Sequence, residues 1–189
     1  PVARLLNYGG YDLRRIKETL PDYLKLGFSE KHVPELIRMT MDDDLNNASQ
    51  DDLKVWAPLH AWRTLGQLRA VEAAKPFVRL FDNLEHDAWL SSDLGEVFSL
   101  IGPASIPAIA EFIGDNEVDE ICRISVPACW EQIARDHPEH RAECIGTLKL
   151  QLAFYETNGL TLHAFLIESL ADLRATETID VIRKAFFAD

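Results

Sequence analysis

The sequence predicts an all-α fold of about five antiparallel helix pairs, and three observations support this prediction. First, an aromatic or large apolar residue followed three positions later by an aliphatic one recurs five times along the chain. Second, a further amphipathic stretch with helical spacing follows each recurrence within a few residues. Third, no stretch alternates apolar and polar residues for long enough to indicate a strand.

The recurring pairs indicate repeated structural units of similar length. They are Tyr23/Leu26, Trp62/Leu65, Phe98/Ile101, Trp130/Ile133 and Leu170/Leu173. A single helix pair cannot bury its apolar face alone, so neighbouring pairs must stack to complete the core. We therefore expect one repeat domain over residues 1–189, with repeats at roughly 11–46, 49–84, 87–115, 116–157 and 159–188.

Within each repeat we expect a first helix, a tight turn and a second helix. The predicted helices are 11–26, 30–42, 51–67, 70–83, 87–101, 104–114, 117–135, 138–157, 160–174 and 176–187. Local chemistry supports their ends, because short polar side chains can accept hydrogen bonds from first-turn amides and Gly or Pro ends helices. The predicted N-caps are Ser29, Asp115, Asp136 and Thr176, with a variant capping box at Ser49 and Asp52. The predicted stops are Gly102-Pro103 and Asn158-Gly159.

The stretch 115–123, continuing to 130–134, resembles the first helix of a HEAT-like repeat. It has an acidic turn, an Arg in the first turn (Arg123) and small residues in mid-helix. Leu65-Gly66 and Ile101-Gly102 are similar to the ending of such helices. Pro58 and Pro127 lie where these helices are often kinked. The resemblance implies a right-handed α-α superhelix of the HEAT/ARM type.

Composition argues against several classes of function. The formal net charge of −12 opposes nucleic-acid binding, in which Lys and Arg neutralise phosphates. No apolar run reaches the ~20 residues that cross a bilayer, so we expect no membrane association. The first residues show no signal-peptide pattern, and three cysteines are an odd number without disulfide spacing. We therefore expect a cytoplasmic protein.

The strongest metal-like motif is His137-Pro138-Glu139-His140 followed by Cys144. These donors share a helical face, but zinc sites use a second ligand pair that this sequence lacks, which favours a helix start. Cys122 and Cys129 are seven apart and are expected in the core. The acids 42–44 lack the pattern of a calcium loop and are typical of a helix cap. We expect no metal, cofactor or catalytic residue.

Charge is distributed unevenly along the chain. Between Arg79 and Arg123 there are ten acids and no Lys or Arg, whereas residues 1–40 contain seven bases and five acids. Acidic side chains of this kind increase solubility, and they can also attract a basic partner.

We expect a non-enzymatic scaffold or adaptor that binds a protein or peptide partner, which could be basic. Its binding surface would be lined by polar positions of the second helices. These candidates are Arg38, Arg79, Asp82, Glu111, Asp115 and Lys149. One alternative is an enzyme or enzyme accessory similar to the HEAT-like bilin lyases, supported by fold-level resemblance alone.

A second alternative is the scaffold part of a longer protein. Phe186 and Phe187 motivate it, because solenoid ends normally have a polar cap. Otherwise these side chains would fold back on the last repeat.

Overall fold

The computed structural model describes residues 1–10, 21–49, 51–83 and 88–187, and of residues 82, 83 and 88–92 it describes the backbone. Within these ranges the chain is helical and contains no strand. Its α-helices are α1 (Val33–Thr40), α2 (Asp43–Asn46), α3 (Ala57–Gln67), α4 (Ala74–Val78), α5 (Ala88–Ile101), α6 (Ile106–Ile113), α7 (Glu120–Arg123), α8 (Pro127–Asp136), α9 (Arg141–Leu152), α10 (Leu160–Asp172) and α11 (Ile179–Phe186). The all-α prediction is therefore confirmed for the described residues, and most of the predicted helix 11–26 lies outside them.

Many predicted helices begin as a single 3-10 turn and then continue as α-helix. These turns are Glu30–His32, Leu53–Trp56, Val71–Ala73, Pro103–Ser105, Pro138–His140 and Thr176–Thr178. Proline lies in the first α-helical turn after several of them, as at Pro58 of α3. Because proline has no N–H to donate to the preceding turn, it is tolerated at this position.

The prolines predicted to kink first helices instead lie at helix starts. Pro58 and Pro127 occupy the first turns of α3 and α8. The helix predicted over 117–135 is consequently two helices, α7 and α8, separated by residues 124–126. The prediction was wrong here because a missing N–H is best accommodated where the first-turn amides have no helical acceptor.

The chain divides into two compact units, Pro1–Pro76 (unit 1) and Phe77–Asp189 (unit 2). In unit 1, α1 packs against α3, and the 3-10 turn Val2–Asn7 packs against α3 and the turn Leu53–Trp56. In unit 2, α8 packs against α5, α9 and α10, while α9 also contacts α6 and α11. The division falls inside the repeat predicted over 49–84.

The recurring aromatic and aliphatic positions form the core of each unit. All five first members are buried, namely Tyr23, Trp62, Phe98, Trp130 and Leu170. Of the second members, Leu65, Ile101, Ile133 and Leu173 are also buried. Leu26 is exposed, because it ends a three-residue 3-10 turn just before Gly27, which has a positive φ of 89°. The predicted core is thus confirmed at nine of the ten positions.

Several predicted caps are confirmed. Ser29 forms a capping box with His32. Gly102, at a φ of 93°, ends α5 and donates its N–H to the Phe98 carbonyl. Asp42 caps α2 through the Leu45 N–H. Asp115 is not the helix N-cap that was predicted, because it accepts from the Glu117 N–H in a turn, and Asp119 caps α7 through the Ile121 N–H. These positions show how strongly short polar side chains determine the turns.

Other predicted caps are wrong. Asp136 lies inside α8, where its carboxylate accepts a hydrogen bond from the Ser99 hydroxyl at 2.6 Å. Thr176 begins a 3-10 turn that has no side-chain cap, and the Thr178 hydroxyl donates to the Ala175 carbonyl at 2.7 Å. In the predicted box at Ser49, Asp52 itself is the cap and accepts from Lys54 N–H. Side-chain oxygens recur near these helix starts, so sequence alone misassigned the cap.

The Asn158-Gly159 stop is also displaced. α9 ends at Leu152, and Gly159 is instead the N-cap of α10. Asn158 links the two helices, because its side-chain amide donates to the Gln151 carbonyl at 3.0 Å. The loop 153–159 therefore folds back on the end of α9.

Phe186 and Phe187 end the described part of the chain with largely exposed rings that meet edge to face at 5.7 Å. The alternative in which these side chains fold back on the last repeat is therefore wrong.

Candidate functional site

Four of the six predicted binding residues lie in unit 2 with described side chains, and they are Arg79, Glu111, Asp115 and Lys149. Arg38 is exposed on α1 and belongs to unit 1. The side chain of Asp82 lies outside the described part of the structure.

Arg79 and Asp115 approach each other across 36 positions of sequence. Their side chains are 3.8 Å apart from Nη2 to Oδ2, and both are more than a third exposed. The Arg79 guanidinium also lies 5.7 Å from the centre of the Phe112 ring, which is buried. A pair this exposed contributes about 0–1 kcal/mol to stability, and a cation–π contact at the surface about the same. The cluster therefore orients Arg79 at the surface without being essential to the fold.

Glu111 and Lys149 lie on the two helices next to this cluster. Glu111 is exposed on α6, in the last turn before the loop that holds Asp115. Lys149 is exposed near the end of α9. The two helix ends are adjacent, because a Cβ placed on Gly114 would lie 3.5 Å from the side-chain amide of Gln151. The structure thus places these four candidates around the ends of α6 and α9.

Arg123 lies beneath this surface and is 5% exposed. Its Nη1 donates to the Ile113 carbonyl at 3.1 Å and to the Asn116 side chain at 3.2 Å. Ile113 is the last residue of α6, so the guanidinium satisfies a carbonyl that has no partner within the helix. A cation is also favourable at a helix C-terminus. The Arg singled out by the family resemblance therefore has a structural role at the end of α6.

Glu120 has a role that sequence analysis missed. Its carboxylate accepts a hydrogen bond from the backbone N–H of Leu162 at 2.8 Å, and so caps α10 from a helix 42 positions earlier. The same carboxylate lies against Gly159, where any Cβ would overlap it. The only sequence signal was a glycine directly before a helix start. This contact joins α7 to the start of α10.

Glu131, on α8, faces α10 and forms an ion pair with Arg135 at 2.6 Å. Burial raises the pKa of its carboxyl, and the nearby carboxylates of Asp172 and Glu168 add to the rise more weakly. Arg135 and the Ser169 hydroxyl oppose the shift without cancelling it. The α8–α10 contact therefore includes a carboxylate whose ionised form is disfavoured.

The predicted metal-like donors each have a local partner. Because a carbonyl can only accept, His137 Nε2 donates to the Ser99 carbonyl at 2.9 Å. His140 Nδ1 similarly donates to the Glu143 carboxylate at 2.9 Å. Cys144 is buried, which raises the pKa of its thiol to about 11. In the described ranges no group of three His, Cys, Asp or Glu side chains could hold a metal ion.

The other two cysteines differ in exposure. Burial raises the pKa of the Cys129 thiol to about 12, so its nucleophilic thiolate is suppressed. This position confirms the core prediction. Cys122, on α7, is half-buried.

Unit 1 contains a buried polar contact and a shallow cleft. His60 Nε2 donates to the Gly9 carbonyl at 2.8 Å, which leaves Nδ1 to accept from the Tyr23 hydroxyl at 2.8 Å. The cleft, of about 490 Å³, is open to solvent and is lined by Leu24, Ser29, Glu30, Lys31, Gln67 and Leu68. The Gln67 side-chain amide bonds the backbone of Pro21 and Tyr23, so it serves the fold.

Comparisons with protein-family profiles, with characterised proteins and with solved structures gave no match. Within the described ranges no single helix is long and apolar enough to cross a membrane. The bent pair Asp93–Ile101 and Pro103–Ile113, which meet at 107°, reaches that length and composition together.

Proposed function

We propose that this chain is a non-enzymatic scaffold that binds a protein or peptide partner, with helix pairs stacked as in HEAT-like repeats. The proposal is supported by the recurring aromatic and aliphatic positions, of which nine in ten are buried. With the apolar faces used in the core, recognition would depend on the remaining surface of the helices and loops.

The observation that supports binding most directly is the combination of charge and exposed apolar surface in unit 2. Residues 77–189 contain 20 acidic and 8 basic residues, whereas residues 1–76 contain 11 of each, so the whole net charge of −12 belongs to unit 2. Large apolar side chains are nevertheless exposed there, namely Ile121, Leu150, Phe154, Leu160, Phe165, Ile179, Phe186 and Phe187. Exposed apolar groups surrounded by polar ones are typical of protein-binding surfaces.

The proposal can be tested by a tagged pull-down from the source organism's lysate at low and at moderate salt. The proteins that the wild type retains are compared with those that a double variant retains. The double variant is Arg79→Ala with Glu111→Ala, since both side chains are exposed and their loss should leave the melting temperature nearly unchanged. Asp180→Ala with Arg183→Ala, an acid and a base that are both exposed on α11, is the matched control.

We expect a specific protein that the wild type and the α11 control variant retain and the Arg79/Glu111 variant loses. Retention of a small molecule or metal without any protein would contradict the scaffold and favour an enzyme. A binding loss that is matched by unfolding of the double variant would contradict the assignment of these residues.

A further inference from the structure

Unit 2 places four exposed apolar side chains near one end of its helices. They are Ile121 of α7, Leu150 of α9, Phe154 just beyond α9 and Leu160 at the start of α10, and each is more than half exposed. We call these four residues the apolar patch.

Three contacts bring the segments that hold the apolar patch together. The Glu120 carboxylate bonds the Leu162 N–H, which places α7 beside the start of α10. The Asn158 side chain bonds the Gln151 carbonyl, which places the loop before α10 against the end of α9. Leu150 and Phe154 are four positions apart. The helical turn continues beyond the end of α9 to Phe154, because the Phe154 N–H donates to the Gln151 carbonyl. The segments that hold the patch residues therefore lie next to one another.

Acidic side chains surround this end. Glu117, Asp119 and Glu156 are exposed in the adjoining loops, and Asp115 and Glu120 are partly exposed beside them. The nearby bases are fewer, because Arg123 is buried under α6 and Arg79 lies against Asp115. Lys149 is the exposed base next to Leu150. The apolar patch is thus surrounded mainly by negatively charged side chains.

We propose that the apolar patch binds an amphipathic segment of a partner protein whose apolar side chains are flanked by Lys or Arg. The charge around the patch supports this choice of partner. The patch would bury the apolar side chains of the partner segment, and the surrounding carboxylates would favour basic flanking residues and increase the association rate. The inference rests on the proposed function and specifies the chemistry of the partner.

Three labelled synthetic peptides of about 18 residues, long enough for about five helical turns, can test the inference by fluorescence anisotropy. The first has Leu on one face and Lys on the other. The second has Glu in place of Lys, and the third has Ser in place of Leu. We expect the first peptide to bind at least about tenfold more tightly than either of the others, and to lose affinity as salt rises from about 50 to 200 mM.

Substitutions in this chain test whether the peptide binds at the apolar patch. Phe154→Ser with Leu160→Ser should weaken the first peptide at least about tenfold, whereas Ile179→Ser with Phe186→Ser, an equally polar change at two exposed residues of α11, should not. Glu117→Lys with Glu156→Lys should reduce both affinity and salt dependence, with Glu139→Lys and Asp180→Lys together as the matched control at two exposed acids elsewhere. Melting temperatures confirm that each variant is folded.

Equal binding of the acidic and basic peptides would overturn the inference, as would equal binding by the patch and control variants. Self-association that is lost in Phe154→Ser with Leu160→Ser, without peptide binding, would overturn it in favour of a second copy of the chain. None of these outcomes affects the pull-down, because a retained partner could bind elsewhere. The two proposals therefore fail separately.

Discussion

The Glu120 carboxylate and the backbone N–H of Leu162 are joined by a 2.8 Å hydrogen bond, so a side chain from α7 caps the start of α10. The helix itself provides only Gly159 at its N-cap, which has no side-chain oxygen. Glu120 instead supplies both a hydrogen-bond acceptor and a negative charge near the positive end of the helix. A residue distant in sequence here provides the N-cap hydrogen bond that a neighbouring Ser or Asp usually provides.

Replacing either member of this contact should destabilise the protein. We expect Glu120→Ala to lower the free energy of unfolding by about 0.5–2 kcal/mol, the range for loss of an N-cap. Gly159→Ala should cost a similar amount because its Cβ would displace the Glu120 carboxylate, although alanine readily adopts the backbone there, φ −72° and ψ 159°. Urea denaturation of both single variants and the double variant measures the coupling, and strictly additive losses would contradict a shared contact.

Gly146→Ala should have the opposite effect. Gly146 lies within α9, is exposed, and a Cβ there would meet no other atom within 4 Å. Alanine should therefore stabilise the protein by about 0.5–1 kcal/mol, since glycine is a poor residue for a helix interior. Thermal unfolding followed by circular dichroism tests this, and a lower melting temperature would count against the described course of α9.

Tyr23→Phe should destabilise unit 1 by about 1–3 kcal/mol, because it removes the hydroxyl that donates to His60 Nδ1 inside the core. Tyr8→Phe is the matched control. The Tyr8 ring also meets His60, at 4.7 Å between centres, but Tyr8 is exposed. Its replacement should change stability by less than about 0.5 kcal/mol. Equal losses in the two variants, measured by urea denaturation, would contradict the assigned hydrogen bond.

Glu131→Gln should stabilise the protein at neutral pH. The pKa of Glu131 is raised in the folded state by burial, so the fold binds its proton more tightly than the unfolded chain does. Ionised Glu131 therefore lowers stability above the raised pKa, and the loss is relieved as the pH falls through that pKa. The melting-temperature difference between variant and wild type should be positive at pH 7 and absent below about pH 4. A difference that does not depend on pH would show that Arg135 compensates for burial.

Sequence periodicity predicted the helices and the core well, because burial selects residue size and polarity at positions such as Trp62 and Trp130. Helix starts were less predictable. Polar residues recur near many helix starts, and Asp136 matches a cap in composition while lying in the last turn of α8. Pro127 starts a helix instead of bending one, because its missing N–H costs least in the first turn.

The candidate site was predictable only in part. Helical phase identified Arg79, Glu111, Asp115 and Lys149 as exposed or partly exposed residues of unit 2. It could not indicate that Arg79 lies beside Asp115 and over Phe112, because that contact depends on how separate helices pack. Nor could it identify the apolar patch, since Leu150 and Phe154 match the apolar pattern of residues that are buried elsewhere.

The three cysteines differ in burial, so one of them can be labelled selectively with a spectroscopic probe. Cys129 and Cys144 are buried, with thiol pKa values raised to about 12 and about 11, whereas Cys122 is half-buried on α7 beside Ile121. A thiol-reactive dye added to the native protein should therefore attach first at Cys122. Its emission would report events at the apolar patch from the adjoining position, without the introduction of any new cysteine.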